Sequence, residues 1–339
     1  MDQPFSTRAV MLGDPGHGSA VTGIAAQEAA RLHSAALGLA PGADAPSADP
    51  CESASVLTAA LPSDLVRSLH RFGNAGAPQE ALLVRGLLSD ADGLAPTPGT
   101  VTPPPPGPGE QAAELTLLAV MSLMGEPFTF ASLYGGRLVQ HVTAVPGHED
   151  AQTSAGSQAD LKWHVEDAFT DDRCDYFGML CLRGAAEAVT AVAAARNLRL
   201  PPQAEAVLRQ PRFVIAPDLA HDAGPAGSLP PLALLSGPPG DPEIRFDAVY
   251  QRPADPRDAE AEAALRTLSD AVSAAAAGHA MEPGDLLIID NRRAAHARTG
   301  YLPRYDGAGR WLLRAMVCAS RREHRRRGGI RVLPSAIRM

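Results

Sequence analysis

Residues 310–317, Arg310-Trp311-Leu312-Leu313-Arg314-Ala315-Met316-Val317, alternate with a period of two. Arg310, Leu312, Arg314 and Met316 fall on one face of an extended strand, and Trp311, Leu313, Ala315 and Val317 on the other. An arginine on a buried strand face is costly unless it meets an anion. At about 3.3 Å per residue the two arginines stand about 13 Å apart, far enough for two separate anions. A surface strand with solvated arginines satisfies the same spacing, so alternation alone leaves both readings open. Upstream, residues 285–290 (DLLIID) read as a second, buried strand.

Working outward, residues 80–88 (EALLVRGLL), 138–142 (LVQHV), 162–169 (KWHVEDAF) and 176–182 (YFGMLCL) also read as strands. Helical patterns cover 22–37, 54–72, 111–124 and 258–278, while 183–196 reads as strand then helix, closed by Pro201-Pro202. The prolines of 95–110 exclude regular structure there. Residues 217–230 have the Gly/Pro/Asp composition of a loop that could cover a site. The expectation is a mainly β fold with flanking helices, built on a double-stranded β-helix (jelly-roll) core. Residues 1–79 would form a helical segment packed on that core. Residues 80–339 would form the jelly-roll domain with helical inserts, the whole being one structural unit.

The 339 residues are 45% hydrophobic and 20% charged, which supports a large core. A formal charge of -8 argues against nucleic acid as partner. The basic run 321–327 reads as a solvated end. Four cysteines, none in a CxxC pair, fit neither a structural zinc site nor a disulfide scaffold. The chain starts Met-Asp-Gln-Pro without a secretory pattern and has no apolar run of membrane-spanning length. A cytoplasmic protein without a membrane partner is expected.

Trp163-His164-Val165-Glu166-Asp167 is the sharpest chemical feature. On an extended strand His164 and Glu166 project together, an imidazole beside a carboxylate. With a second, distant histidine they would make the two-histidine, one-carboxylate facial set of non-haem Fe(II), open on its other face. His296, beyond the strand 285–290 and the turn-like Asp290-Asn291-Arg292-Arg293, is the candidate third ligand. A structural histidine bonded to Asp290 accounts for it equally well at this level. Lys162 shares the strand face of His164 and reads more readily as a lysine reaching for solvent than as a substrate contact.

The stretches Leu161–Phe169, Arg173–Tyr176, Ile289–His296 and Pro303–Gly307, followed by Arg310-Trp311 and Arg314, resemble the clavaminate-synthase-like Fe(II)/2-oxoglutarate oxygenases, within them the amino-acid hydroxylases of the arginine and asparagine type. The resemblance covers roughly residues 80–320. It implies His164, Glu166 and His296 as catalytic iron ligands, with Fe(II), 2-oxoglutarate and O2 as cofactor and cosubstrates. Arg310 and Thr190 match positions that hold the C5 carboxylate of 2-oxoglutarate. Arg314 matches the residue for the substrate α-carboxylate, and Ser154 and Gln152 lie in a segment that touches the substrate backbone. Asp247 matches an acid that reads the polar end of the side chain, although a second acid expected two positions later is Val249. A glutamine that would touch substrate is replaced near Leu133-Tyr134. The resemblance implies hydroxylation at C3 or C4 of an L-amino acid with a polar or cationic side chain, in natural-product biosynthesis. Desaturation, cyclisation, a carrier-bound aminoacyl substrate and a non-catalytic jelly-roll binding protein are the alternatives.

Overall fold

Two facing β-sheets carry the chain, with helices on the outer side of each. The fold, taken from a computed structural model, is described for residues 19–40, 49–74, 79–88, 93–218, 220–221, 229–320 and 331–334. Most of the loop 217–230 and the basic run 321–327 lie outside the described residues.

The major sheet contains β1 (Ser19–Gly23), β2 (Ala81–Arg85), β3 (Glu126–Phe130), β4 (Val139–Thr143), β6 (Tyr176–Arg183), β13 (Leu286–Asp290), β15 (Trp311–Cys318) and β16 (Val332–Leu333). Its order is β1-β2-β13-β6-β15-β3-β16, with β4 also on β15. The minor sheet runs β12 (Ala276–His279), β7 (Thr190–Ala194), β14 (Ala294–Arg298), β5 (Leu161–His164). Two short pairs flank it: β8 (Phe213–Ile215) with β11 (Gln251–Pro253), and β9 (Leu235–Ser236) with β10 (Glu243–Ile244). This is the jelly-roll core expected from the sequence.

Strand alternation sorts side chains between two cores. Leu82 and Val84, Leu286 and Ile288, and Trp311, Leu313, Ala315 and Val317 face outward. They meet α1 (Ala26–Leu39), α2 (Pro50–Leu57), α3 (Ser63–Asn74) and α4 (Pro108–Ser122). Ala81, Leu83, Leu287, Ile289, Leu312 and Met316 face inward, against Val192 and Ala294 of the minor sheet. Behind the minor sheet, Ala193 and Ala295 pack on α5 (Pro202–Leu208) and α6 (Ala259–Ala274). Gly178 on β6 lets α4 lie close: a Cβ there would stand 2.5 Å from the Met121 sulfur.

Every residue of β15 is buried, so the surface-strand reading fails. The helix expected over 54–72 is divided, because Pro62 separates α2, with a single 3-10 turn after it, from α3. Residues 183–196 are not strand then helix. They turn and then enter β7, followed by one 3-10 turn. The pattern 258–278 likewise ends as helix at Ala274 and continues as β12. The first residues of 22–37 belong to β1 rather than to a helix.

Candidate active site

The strand expected over 162–169 stops at His164, and Glu166 is not aimed by strand pleating. After β5 the chain turns. Val165 N–H donates to Phe246 O at 2.8 Å, and Asp167 adopts φ 53°. A non-glycine residue in that region is held there by its surroundings. Asn291 does the holding: its side chain accepts from Glu166 N–H (2.9 Å) and donates to Glu166 O (3.0 Å) and Cys174 O (3.1 Å). Asn291 is wholly buried. In the sequence Asn291 stands only as part of a turn-like stretch.

His296 lies in mid-strand on β14, directly paired across the ladder with His164. Their rings are 4.1 Å apart, and His296 Nε2 is 3.5 Å from Glu166 Oε1. One potential ligand atom from each of the three residues lies within 4.8 Å of the others. His164 Nδ1 stands 2.8 Å from Lys162 O. A carbonyl only accepts, so Nδ1 bears the hydrogen and the Nε2 lone pair is free for a metal. Two imidazoles and a carboxylate are the donor set that suits Fe(II), and the residues present fit that ion. Asp290 is not the partner of His296; it accepts from Arg293 Nε at 2.7 Å.

Burial pushes the Glu166 carboxyl up, but Arg314 and the two histidines outweigh it and hold it well below the carboxylate range. Burial and His296 lower the His164 imidazole. Both effects favour the deprotonated forms that bind metal.

One cavity contains the triad together with Thr190, Arg310, Arg314, Asp247, Ser154 and Gln152. All nine residues singled out in the sequence thus meet. Arg310 and Arg314 are 7% and 8% exposed. They differ in partner. Arg314 Nη1 donates to Glu166 Oε1 at 2.6 Å and its Nε to Gln140 Oε1 at 2.8 Å, while its guanidinium lies over the Tyr134 ring. Among the described residues no carboxylate pairs with Arg310, which lies 5.5 Å from the Tyr301 ring centroid. The strand therefore presents one arginine with an internal anion and one without.

Asp247 sits across from His164 in an isolated bridge. Its Oδ1 accepts from Val249 N–H and Tyr250 N–H, both at 2.9 Å. Burial raises its carboxyl, and Asp218 adds to the rise. Asp218, from the segment whose composition predicts a loop, also lines the cavity. Three residues on, His221 is buried between Phe130 and Phe169 and bonded to Ser132 Oγ (2.9 Å) and Asp167 Oδ1 (2.8 Å). It pins the Asp218 segment to the turn that bears Glu166. Ser154 Oγ meets the hydroxyl of Tyr134, whose φ is 48°. Both ends of the Gln152 amide are engaged by the protein, at Asp160 O (2.9 Å) and Lys162 N (3.0 Å). Lys162 is exposed at the rim. Spacing in the sequence offered no signal for Asp218, His221 or Tyr134.

The family model described as "Taurine catabolism dioxygenase TauD, TfdA family" matches residues 205–316, the part that contains His296, Arg310 and Arg314. L-asparagine oxygenase of Streptomyces coelicolor is 37% identical over 78% of this chain and 79% of its own length. L-lysine 3-hydroxylase of Catenulispora acidiphila is 33% identical over 82% and 78%. A crystal structure of the non-heme iron oxygenase OrfP in complex with Fe and alpha-ketoglutaric acid superimposes with a TM-score of 0.84 at 31% identity, covering 93% of this chain and all of that one. The chain belongs to the TauD/TfdA family of dioxygenases.

Proposed function

We propose that this enzyme hydroxylates an unactivated C–H bond, at C3 or C4, of an L-amino acid with a polar side chain, using Fe(II), 2-oxoglutarate and O2. The observation that carries this is a single cavity in which a two-histidine, one-carboxylate cluster lies beside a buried arginine without a carboxylate partner. His164, Glu166 and His296 are the iron ligands of this reading. Arg310 and Thr190 hold the C5 carboxylate of 2-oxoglutarate, where a planar guanidinium can bind bidentately. When bound, iron, 2-oxoglutarate and O2 supply the oxidation: one oxygen atom enters the substrate C–H bond as hydroxyl, the other leaves in succinate, and CO2 is released.

The chain's own groups orient and enclose. Arg314 receives the substrate α-carboxylate while keeping the Glu166 carboxylate in place. Ser154 contacts the amino-acid backbone, and Gln152 braces the segment that carries it. Leu133, Val142 and Met179 give the cavity an apolar wall that keeps water from the reacting carbon. Asp247 and Asp218 are two carboxylates in one wall, each within the other's field. A cationic side-chain end neutralises both, whereas an amide neutralises neither. Lysine, ornithine and arginine are therefore favoured over asparagine and glutamine. Four buried thiols without disulfides suit a reducing cytoplasm, the compartment we propose. No helix among the described residues is long and apolar enough to cross a membrane.

The test is a screen of the standard amino acids plus citrulline and ornithine, reading succinate release and the mass of the product. Turnover confined to cationic amino acids, with product one oxygen heavier, is the expected result. Activity on asparagine alone would overturn the preference for a cationic side-chain end, and a product lacking the added oxygen would overturn hydroxylation. His296→Ala is expected to abolish turnover on every substrate. Turnover surviving that change would remove the iron assignment.

A further inference from the structure

Arg298 stands two residues beyond His296 on β14 and so projects from the same face. Across the ladder it is paired with Thr190. It is 5% exposed and lines the cavity. Its guanidinium donates only to carbonyls: Nε to Thr299 O (3.2 Å), Nη1 to Gly156 O (2.7 Å) and Nη2 to Ala159 O (3.1 Å). The field of Asp160 reaches it, but that carboxylate accepts from Gly300 N–H and makes no ion pair with Arg298. The guanidinium lies 5.1 Å from the Tyr301 ring centroid, and Arg310 lies 5.5 Å from the same centroid. Two buried arginines thus share one aromatic ring, and among the described residues neither has a carboxylate partner.

That arrangement is expensive in the absence of an anion. A buried unpaired charge costs several kcal/mol, and a like charge beside it adds to the cost. An aromatic face returns only about 2 kcal/mol per desolvated cation. Carbonyl dipoles solvate the Arg298 charge without cancelling it. An anion held between Thr190 and Arg310 would compensate both guanidiniums.

We propose that Arg298 is a second cation for the distal carboxylate of the 2-oxo acid, acting through its field from beside Thr190 and Tyr301 while Arg310 makes the contact. The role rests on the cosubstrate reading above and extends it: selectivity for a dicarboxylate belongs to two arginines. It also places Arg298 as the tie between the cosubstrate end and the segment 156–159, beside Ser154.

The test is calorimetric binding to the Mn(II)-loaded, non-turning-over enzyme, with 2-oxoglutarate and 2-oxopentanoate as probes, the latter lacking the distal carboxylate. Arg298→Gln keeps amide donors and removes the charge. It is expected to weaken 2-oxoglutarate on the order of tenfold, a difference of about 1.4 kcal/mol, and to leave 2-oxopentanoate unchanged. Equal weakening of both probes would assign Arg298 a merely structural role and overturn the proposal, as would no weakening of either. If Arg298→Gln does not fold, Arg298→Lys carries the test, since it keeps the charge and loses the fork onto three carbonyls. Retained preference for 2-oxoglutarate over 2-oxopentanoate supports the field role, and its loss overturns it. Failure of the unaltered enzyme to bind 2-oxoglutarate would instead strike the cosubstrate reading itself, so the two failures are distinguishable.

Discussion

The Arg314 guanidinium and the Glu166 carboxylate meet with both side chains only 10% exposed, so the pair is removed from water as a unit. Breaking a buried pair by removing one member leaves the other charge uncompensated, at about 3–5 kcal/mol. In the metal-free protein Arg314→Met is therefore expected to lose roughly that much stability, because Glu166 is left without its cation. Mn(II) should restore part of it by taking the place of that cation. Denaturant unfolding with and without Mn(II) checks this, and equal losses in both conditions would sink the coupling. Arg314→Lys keeps the charge without the fork and should raise the amino-acid KM on the order of tenfold while 2-oxoglutarate binding changes little. At this scale the sequence was informative where partners are close in the chain: His164 with Glu166, and Arg310 with Arg314. It was silent on Asn291, whose partner Glu166 is 125 residues away. Arg298 was hidden for the same reason, its carbonyl partner Gly156 being 142 residues away.

Residues 183–196 read as strand then helix because alanine dominates their second half, yet Thr190–Ala194 form a strand between β12 and β14. Propensity is a weak preference, and pairing on both edges overrides it. That override matters, since it sets Thr190 opposite Arg298 and His279. On β12 His279 is 3% exposed, with Nε2 2.9 Å from Ser19 Oγ and in the field of Arg85, whose own partner is Asp285. Burial, then Arg85, push its imidazole down from 6.5 to about 4. The folded pKa lies below the unfolded one. The protein is therefore unpenalised above the unfolded value of 6.5 and loses stability as pH falls from there toward about 4. The loss from this one group is on the order of 3 kcal/mol. Unfolding midpoints measured across that range should fall in the unaltered protein and fall less in His279→Gln. Parallel curves would show that His279 is not the titrating group. The element boundaries were least legible where turns intrude: β5 ends at His164, and the aim of Glu166 is set by the turn after it.

Leu32, Leu57, Leu65, Leu69 and Phe72 of the first three helices share one core with Leu82, Ile288, Trp311 and Leu313 of the major sheet. Each such leucine contributes about 2–3 kcal/mol when fully buried. Removing residues 1–79 would bare much of the outward face of that sheet, and the truncated chain is expected to aggregate or to unfold without a cooperative transition. A monodisperse 80–339 fragment with a sharp melt would show instead that the helices are dispensable. The β15 alternation carries the same logic through the molecule: Trp311 and Leu313 hold the helical layer on one face, while Arg310 and Arg314 serve the cavity on the other. By itself the sequence determined the jelly-roll class and the local pairs His164 with Glu166 and Arg310 with Arg314, because each is written in short-range periodicity or in motifs of a few residues; His296 as the third ligand came only with the resemblance. Only the tertiary structure decided which arginine already has an anion, how Glu166 is aimed, and that Arg298 and Asp218 join the site. Those depend on charges and hydrogen-bond partners that only folding brings together, which local spacing does not encode.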